Sequence, residues 1–181
     1  MAAEREHPTT AEREHPTTAD HVHPTVVLTC GPAGSGKTTF ARELERQGYV
    51  RLSVDEEVYR RFGRYGVDIP TERFAEYNEL VEPTLQDRVV ELVHQGSDVV
   101  VDLSFWRRAD RDRYKRLIDE AGGRWRLVYF RVPRGELHRR VVERARLRVD
   151  PNAFPVRPEL LDSFLATFEV PDGEGEEVIS G

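Results

Sequence analysis

Gly31-Pro32-Ala33-Gly34-Ser35-Gly36-Lys37-Thr38 decides how the rest of this chain is read. These residues fit the pattern G-x-x-x-x-G-K-[ST] in full. Just before them stands Val26-Val27-Leu28-Thr29-Cys30, a β-rich apolar run with the character of a buried strand. After them a helical stretch continues to about Gln47, and Gly48 stops it. Glycines let a backbone wrap an anion with its N–H groups, at φ values that other residues resist. The following helix turns the positive end of its dipole toward the same point. Gly31, Ala33, Gly34, Ser35, Gly36, Lys37 and Thr38 are therefore expected to cradle the phosphates of a nucleoside triphosphate, with Thr39 at the α-phosphate. Lys37 is expected to reach the β- and γ-phosphates, and the Thr38 hydroxyl to ligate Mg²⁺. The motif speaks for nucleotide binding and leaves the reaction open.

A length of 181 residues suits one α/β domain of ordinary size plus a tail. No apolar run approaches the ~20 residues of a membrane-spanning helix. The single cysteine, Cys30, excludes an internal disulfide and makes the cytoplasm the expected compartment. A formal net charge of −6 argues against a general nucleic-acid partner, though not against a local basic site. Residues 3–10 and 11–18 repeat the octamer AEREHPTT, which has almost nothing to bury. Residues 1–24 are therefore expected to be a disordered tail, with His7, His15, His21 and His23 either solvated or weak ligands of a transition metal, and 25–181 to be the domain.

Outward from the phosphate loop, strand and helix patterns alternate. Strands are expected at 49–54, 98–103 and 125–132, with a brief fifth at Val178-Ile179. Helices are expected at 55–62, 71–95, 107–121, about 134–148 and 158–168, with a break or kink at Pro83. Alternation at these lengths implies right-handed βαβ crossovers and a parallel sheet covered on both faces, a three-layer α/β domain.

In such sheets ligands sit beyond the carboxyl ends of the strands. Asp55 follows the second strand and Asp102 ends the third. Transfer of a phosphoryl group to an alcohol needs one carboxylate to take the hydroxyl proton and one acid to hold Mg²⁺. Asp55 fits that base or an N-cap of the next helix, and Asp102 fits the metal role or an ordinary strand-end acid. Arg139, Arg140, Arg144, Arg146 and Arg148 crowd one helix and its exit. Arg140, Arg144 and Arg148 share a face. That face reads either as a lid over a transferring phosphoryl group or as a solvated face neutralised by Glu136, Glu143 and Asp150.

Three stretches, TCGPAGSGKTTFAR (29–42), SVDEEVY (53–59) and ERARLRVDPNAFP (143–155), resemble the P-loop kinase group. That group includes polynucleotide 5′-hydroxyl kinases, chloramphenicol phosphotransferase, zeta toxins, and gluconate or shikimate kinases. The run VVVDLSFWRRADRD (99–112) is similar to a subgroup of small bacterial ATP-binding kinases. The resemblance implies a sheet order of 2-3-1-4-5 and a helical lid at about 144–158. It implies Asp55 as general base, Arg144 and Arg148 as lid arginines with Pro155 closing their loop, and Arg140 on the nucleotide. It also implies that Trp106, Arg107 and Arg108 face the acceptor, Trp106 stacking on it or standing as a core or rim aromatic. The polynucleotide kinases carry a phosphate-binding arginine three residues past the base, where this chain has Val58. Together these imply an ATP- and Mg²⁺-dependent transfer to a hydroxyl of a small molecule such as an antibiotic or other metabolite. The alternatives are a nucleotide-dependent regulatory ATPase and a polynucleotide or nucleotide-sugar kinase.

Overall fold

Strand and helix alternate as the patterns require in the computed structural model, which describes residues 23–147 and 154–181. Residues 1–22 and 148–153, the latter with Arg148, Asp150 and part of the expected lid, lie outside the described residues. In chain order the elements are β1 (Thr25–Cys30), α1 (Lys37–Arg46), β2 (Val50–Ser53) and α2 (Val54–Phe62). A 3₁₀ turn (Thr71–Arg73) leads into α3 (Phe74–His94). Then come β3 (Val99–Asp102), α4 (Arg108–Glu120), β4 (Arg124–Arg131), α5 (Arg134–Leu147), α6 (Pro158–Thr167) and β5 (Glu176–Ser180). The sheet runs β2-β3-β1-β4-β5, with every neighbouring pair parallel.

The period-2 alternation of a strand explains why β1 reads as an unbroken apolar run. Val26, Leu28 and Cys30 face one cluster, with Val89, Leu92 and Val93 of α3 and Tyr114 and Ile118 of α4. Val27 faces the other way, onto Ala41 and Leu44 of α1. A strand covered on both faces has no polar side to show. Two smaller clusters matter to the site. Val54 and Val58 of α2 pack with Val81, Leu85 and Phe154, and Leu137 and Val141 of α5 pack with Leu161 of α6.

Of the break or kink expected at Pro83, the break is absent: α3 runs on through it. Pro83 stands on the exposed face, and so does Glu79, the residue four positions back that loses a bond to it. Val81 and Leu85, on the buried face, hold the helix together across the gap. The two residues just before the expected start of the domain are bonded to it. His23 Nδ1 lies 2.8 Å from the Gly122 carbonyl oxygen, and the Pro24 carbonyl accepts from Arg124 N–H at 2.8 Å. Both residues thus belong to the edge of the domain.

Register brings the carboxyl ends of β2, β3 and β1 together. Ser53 of β2 pairs with Asp102 of β3, and Leu28 of β1 with Val101. The segments that follow these three strands, 31–36, 54–56 and 103–107, therefore open on one edge of the sheet.

Candidate active site

The phosphate loop owes its shape to two glycines in particular. Gly31 has φ 149°, and a Cβ there would come within 2.9 Å of Ser35 Oγ and 3.1 Å of the Phe130 carbonyl oxygen. Gly36 has φ 104° at the N-cap of α1, and no side chain caps that helix. A Cβ on Gly36 would meet nothing within 4 Å. The result is a helix N-terminus with its first-turn N–H groups uncapped by any side chain and open space in front, which suits an anion. Lys37 lies beside it, donating to the Pro32 carbonyl at 2.9 Å. Burial lowers the Lys37 pKa, and the carboxylate of Asp102 opposes that shift. Ser35 Oγ is buried without a partner. Thr39 is exposed on the first turn of α1.

Asp102 has both oxygens engaged. The Thr38 hydroxyl donates to one at 3.2 Å, and Arg51 Nη1 donates to the other at 3.0 Å. The Asp102 and Arg51 side chains are only 5% and 6% exposed, so the pair is desolvated. Arg51 also pairs with Glu56 and, at 3.4 Å, with Glu45. Nothing in the loop motif or the strand-end acids singled out Arg51. The available signal was a charge inside a strand that is otherwise apolar, followed closely by acids.

Asp55 is not the cap of α2. Ser53 holds that position, its hydroxyl accepting from Glu56 N–H. Asp55 sits in the first turn, where its Oδ2 accepts from the Phe154 N–H at 3.3 Å. Its pKa rises from 3.8 to about 6, driven by burial and secondarily by Asp102, against the Phe154 N–H, Arg144 and Lys37. Arg144 Nη2 donates to the Phe154 carbonyl at 3.4 Å, so one peptide segment touches both Asp55 and Arg144.

Arg139, off the shared arginine face of α5, pairs with Glu136 and Glu143. Arg140 also pairs with Glu136, at 2.6 Å, but its Nη1 comes within 3.5 Å of the Gly34 carbonyl. Arg140 and Arg144 line the same cleft as Lys37, Thr38, Asp55 and Asp102. Trp106 and Arg107 line it too. Trp106 donates Nε1–H to the Thr167 carbonyl at 3.0 Å, and Arg107 is exposed at the start of α4. The cleft has a volume of about 1180 Å³, ample for a nucleotide and a second small molecule.

The connector from β3 to α4 is shaped by residues far away in sequence. Phe105 takes φ 43°, a conformation that costs a non-glycine residue about 1 kcal/mol or more. Its carbonyl accepts from Arg111 Nη1 at 2.9 Å and from the Cys30 thiol at 3.4 Å. Arg111 also forks onto Glu174 at 2.7 and 2.6 Å and reaches the Glu169 carbonyl at 2.9 Å. This fully buried arginine ties the connector to the segment before β5.

Fold, strand order and phosphate loop together define a P-loop kinase fold. The sequence matches the profile of a family described as an AAA domain over residues 26–171, and the chain belongs to that family. Solved structures of the same fold include a presumed kinase from Chloroflexus aurantiacus j-10-fl, at 16% identity and TM-score 0.67, covering 87% of each chain. A gluconokinase from Sinorhizobium meliloti 1021 matches at 21% identity and TM-score 0.55, covering 87% of this chain and 82% of that one. The Mycobacterium tuberculosis APS kinase, solved with AMPPNP and APS, matches at 16% identity and TM-score 0.58, covering 87% of this chain and 88% of that one. No protein of curated function matches the sequence. No helix among the described residues is long and apolar enough to cross a membrane.

Proposed function

We propose that the chain is a phosphotransferase that uses ATP and Mg²⁺ and moves the terminal phosphoryl group to a hydroxyl of a small molecule. One observation carries this reading. Asp55, a recessed carboxylate with its pKa raised to about 6, shares a cleft with the phosphate loop and with Arg140 and Arg144. A carboxylate tuned toward neutrality accepts a proton better than an ordinary one.

The loop suits the triphosphate because its glycines leave open an uncapped helix N-terminus with an ammonium beside it. Thr38 and Asp102 would hold Mg²⁺ through hard oxygen donors, and the ion supplies neutralisation of phosphate charge when bound. Arg51 would keep the Asp102 carboxylate aimed. Asp55 accepts the proton of the acceptor hydroxyl as the new O–P bond forms and the bond to the ADP oxygen breaks. Arg144 and, from the lid, Arg148 offset charge on the transferring group, while Arg140 steadies the nucleotide. Trp106 and Arg107 belong to the acceptor side. In this reading residues 25–181 form the kinase domain, with His23 and Pro24 bonded at its edge and 144–158 as its lid.

The test is a screen of hydroxyl compounds with γ-labelled ATP and Mg²⁺. The account expects label to pass to at least one of them, and Lys37→Ala to abolish that transfer while the circular dichroism spectrum stays unchanged. Turnover of ATP that no hydroxyl compound intercepts would favour a regulatory ATPase. Equal transfer by variant and parent would remove the phosphate loop from the reaction.

A further inference from the structure

We infer that the acceptor is an uncharged hydroxyl compound with a ring-sized apolar body, and not an anion. This rests on the reading of Asp55 as the base. From Asp55 outward, the cleft wall is a file of aromatic rings. Phe154, whose N–H sits on Asp55, packs on Phe74 with ring centres 4.1 Å apart. Phe74 lies 6.5 Å from Phe164, and Phe164 meets Trp106 edge to face at 4.8 Å. All four rings line the cleft. The indole N–H of Trp106 is already spent on Thr167, so that side chain offers mainly apolar surface and a π face. Such walls favour a flat apolar partner through burial and offset or edge contacts.

The described charges around the rings are largely committed elsewhere: of the cleft's arginines, Arg51 is held by Asp102 and Arg46 by Glu43. Glu82 and Asp110 line it, and both are held by Arg113, which pairs with Glu82 and lies 3.0 Å from Asp110. Lys37, Arg140 and Arg144 cluster around the phosphate loop and Asp55. Arg107 lines the acceptor side only from its exposed position at the start of α4, where water screens it. A carboxylate or phosphate held against the rings beyond the reach of Arg144 would be desolvated without a paired cation among the described residues, which is strongly unfavourable. A neutral polar group fares better. Asn78 lines the cleft, and its carbonyl takes the Tyr65 hydroxyl at 3.3 Å, which leaves its NH₂ to donate.

The experiment is calorimetric titration of the full chain, saturated with AMPPNP and Mg²⁺, using three probes and a 5′-hydroxyl oligonucleotide. The probes are 3-phenylpropane-1,2-diol, its anionic counterpart 3-phenyllactate, and gluconate, a polyhydroxy anion without a ring. The diol is expected to bind at least about tenfold more tightly than either anion, and the oligonucleotide is expected not to compete with it. Phe164→Ala should weaken the diol by about tenfold, the scale of one lost aromatic contact with its buried area. AMPPNP affinity should be unchanged in that variant, showing that it folds. Equal or tighter binding of either anion, competition by the oligonucleotide, or no binding of the diol at millimolar concentration would overturn the inference. If labelled ATP still phosphorylates some other hydroxyl compound in an Asp55-dependent way, the kinase reading survives that failure. If the chain does not bind AMPPNP at all, both fall.

Discussion

Ionising Asp55 costs the folded chain free energy, and the sign of that cost makes it measurable. The folded pKa is about 6 and the ordinary value 3.8, so between these values the folded state holds a proton that the unfolded chain releases. Stability from this group is fully present below about pH 4, falls as pH rises through 6, and is flat above. Asp55→Asn removes the penalty. The variant is expected to be more stable than the parent by roughly 1–3 kcal/mol at pH 8, with a smaller gap at pH 5, read from urea midpoints. A gap that does not change with pH would contradict the burial of this carboxylate. Arg51 is the opposite case. Arg51→Met leaves Asp102 recessed with only Thr38 for a partner, and breaking a buried pair costs about 3 kcal/mol. A loss below about 0.5 kcal/mol, the range of a neutral surface change, would show that the Arg51–Asp102 pair is not structural.

Among the elements, the β3–α4 connector most needs support from elsewhere. Phe105 holds its strained φ while its carbonyl is pinned by Arg111 and Cys30. Arg111 in turn depends on Glu174, whose carboxyl the guanidinium holds below the usual glutamate range. A depressed folded pKa gives stability that is present above the ordinary glutamate pKa and lost as pH falls through the folded one. Glu174→Gln is expected to lower the melting temperature by several degrees at pH 7, with the difference shrinking as acid is added. A difference constant down to pH 3 would contradict the pairing. None of this clamp was legible in the sequence. Arg111 and Glu174 are 63 residues apart, and in isolation each reads as an ordinary surface charge. The phosphate loop was legible because its chemistry is local: glycine spacing, one lysine and one threonine within eight residues. Ser53 illustrates the limit. Both it and Asp55 suit an N-cap, and only the path of the chain off β2 gives the position to Ser53.

At the scale of the whole molecule, alternating strand and helix patterns made the layered α/β architecture readable, but the strand order came from resemblance alone. Periodicity says which face of a strand is buried and nothing about its neighbour. The Ser53–Asp102 register, which sets Arg51 against Asp102, is a property of the sheet and of no single segment. Contacts at the lower edge of the domain were hidden for the same reason. His23 and Pro24 resemble the repeat before them, yet they bond to Gly122 and Arg124. Deleting 1–22 is expected to leave the melting temperature unchanged within error, and deleting 1–24 to lower it by a few degrees. Identical melting in both would deny the docking of those two residues. The central claim, that Asp55 takes the proton of an acceptor hydroxyl, is tested most directly by single-turnover transfer of label from γ-labelled ATP. Parent and Asp55→Asn are compared from pH 5 to 8 with the first acceptor that the screen yields. The account predicts a parent rate that rises through about pH 6, where the carboxylate ionises. In Asp55→Asn it predicts a rate lower by about 10²–10⁴, no such rise, and unchanged nucleotide affinity. Undiminished transfer by Asp55→Asn with nucleotide still bound would contradict it.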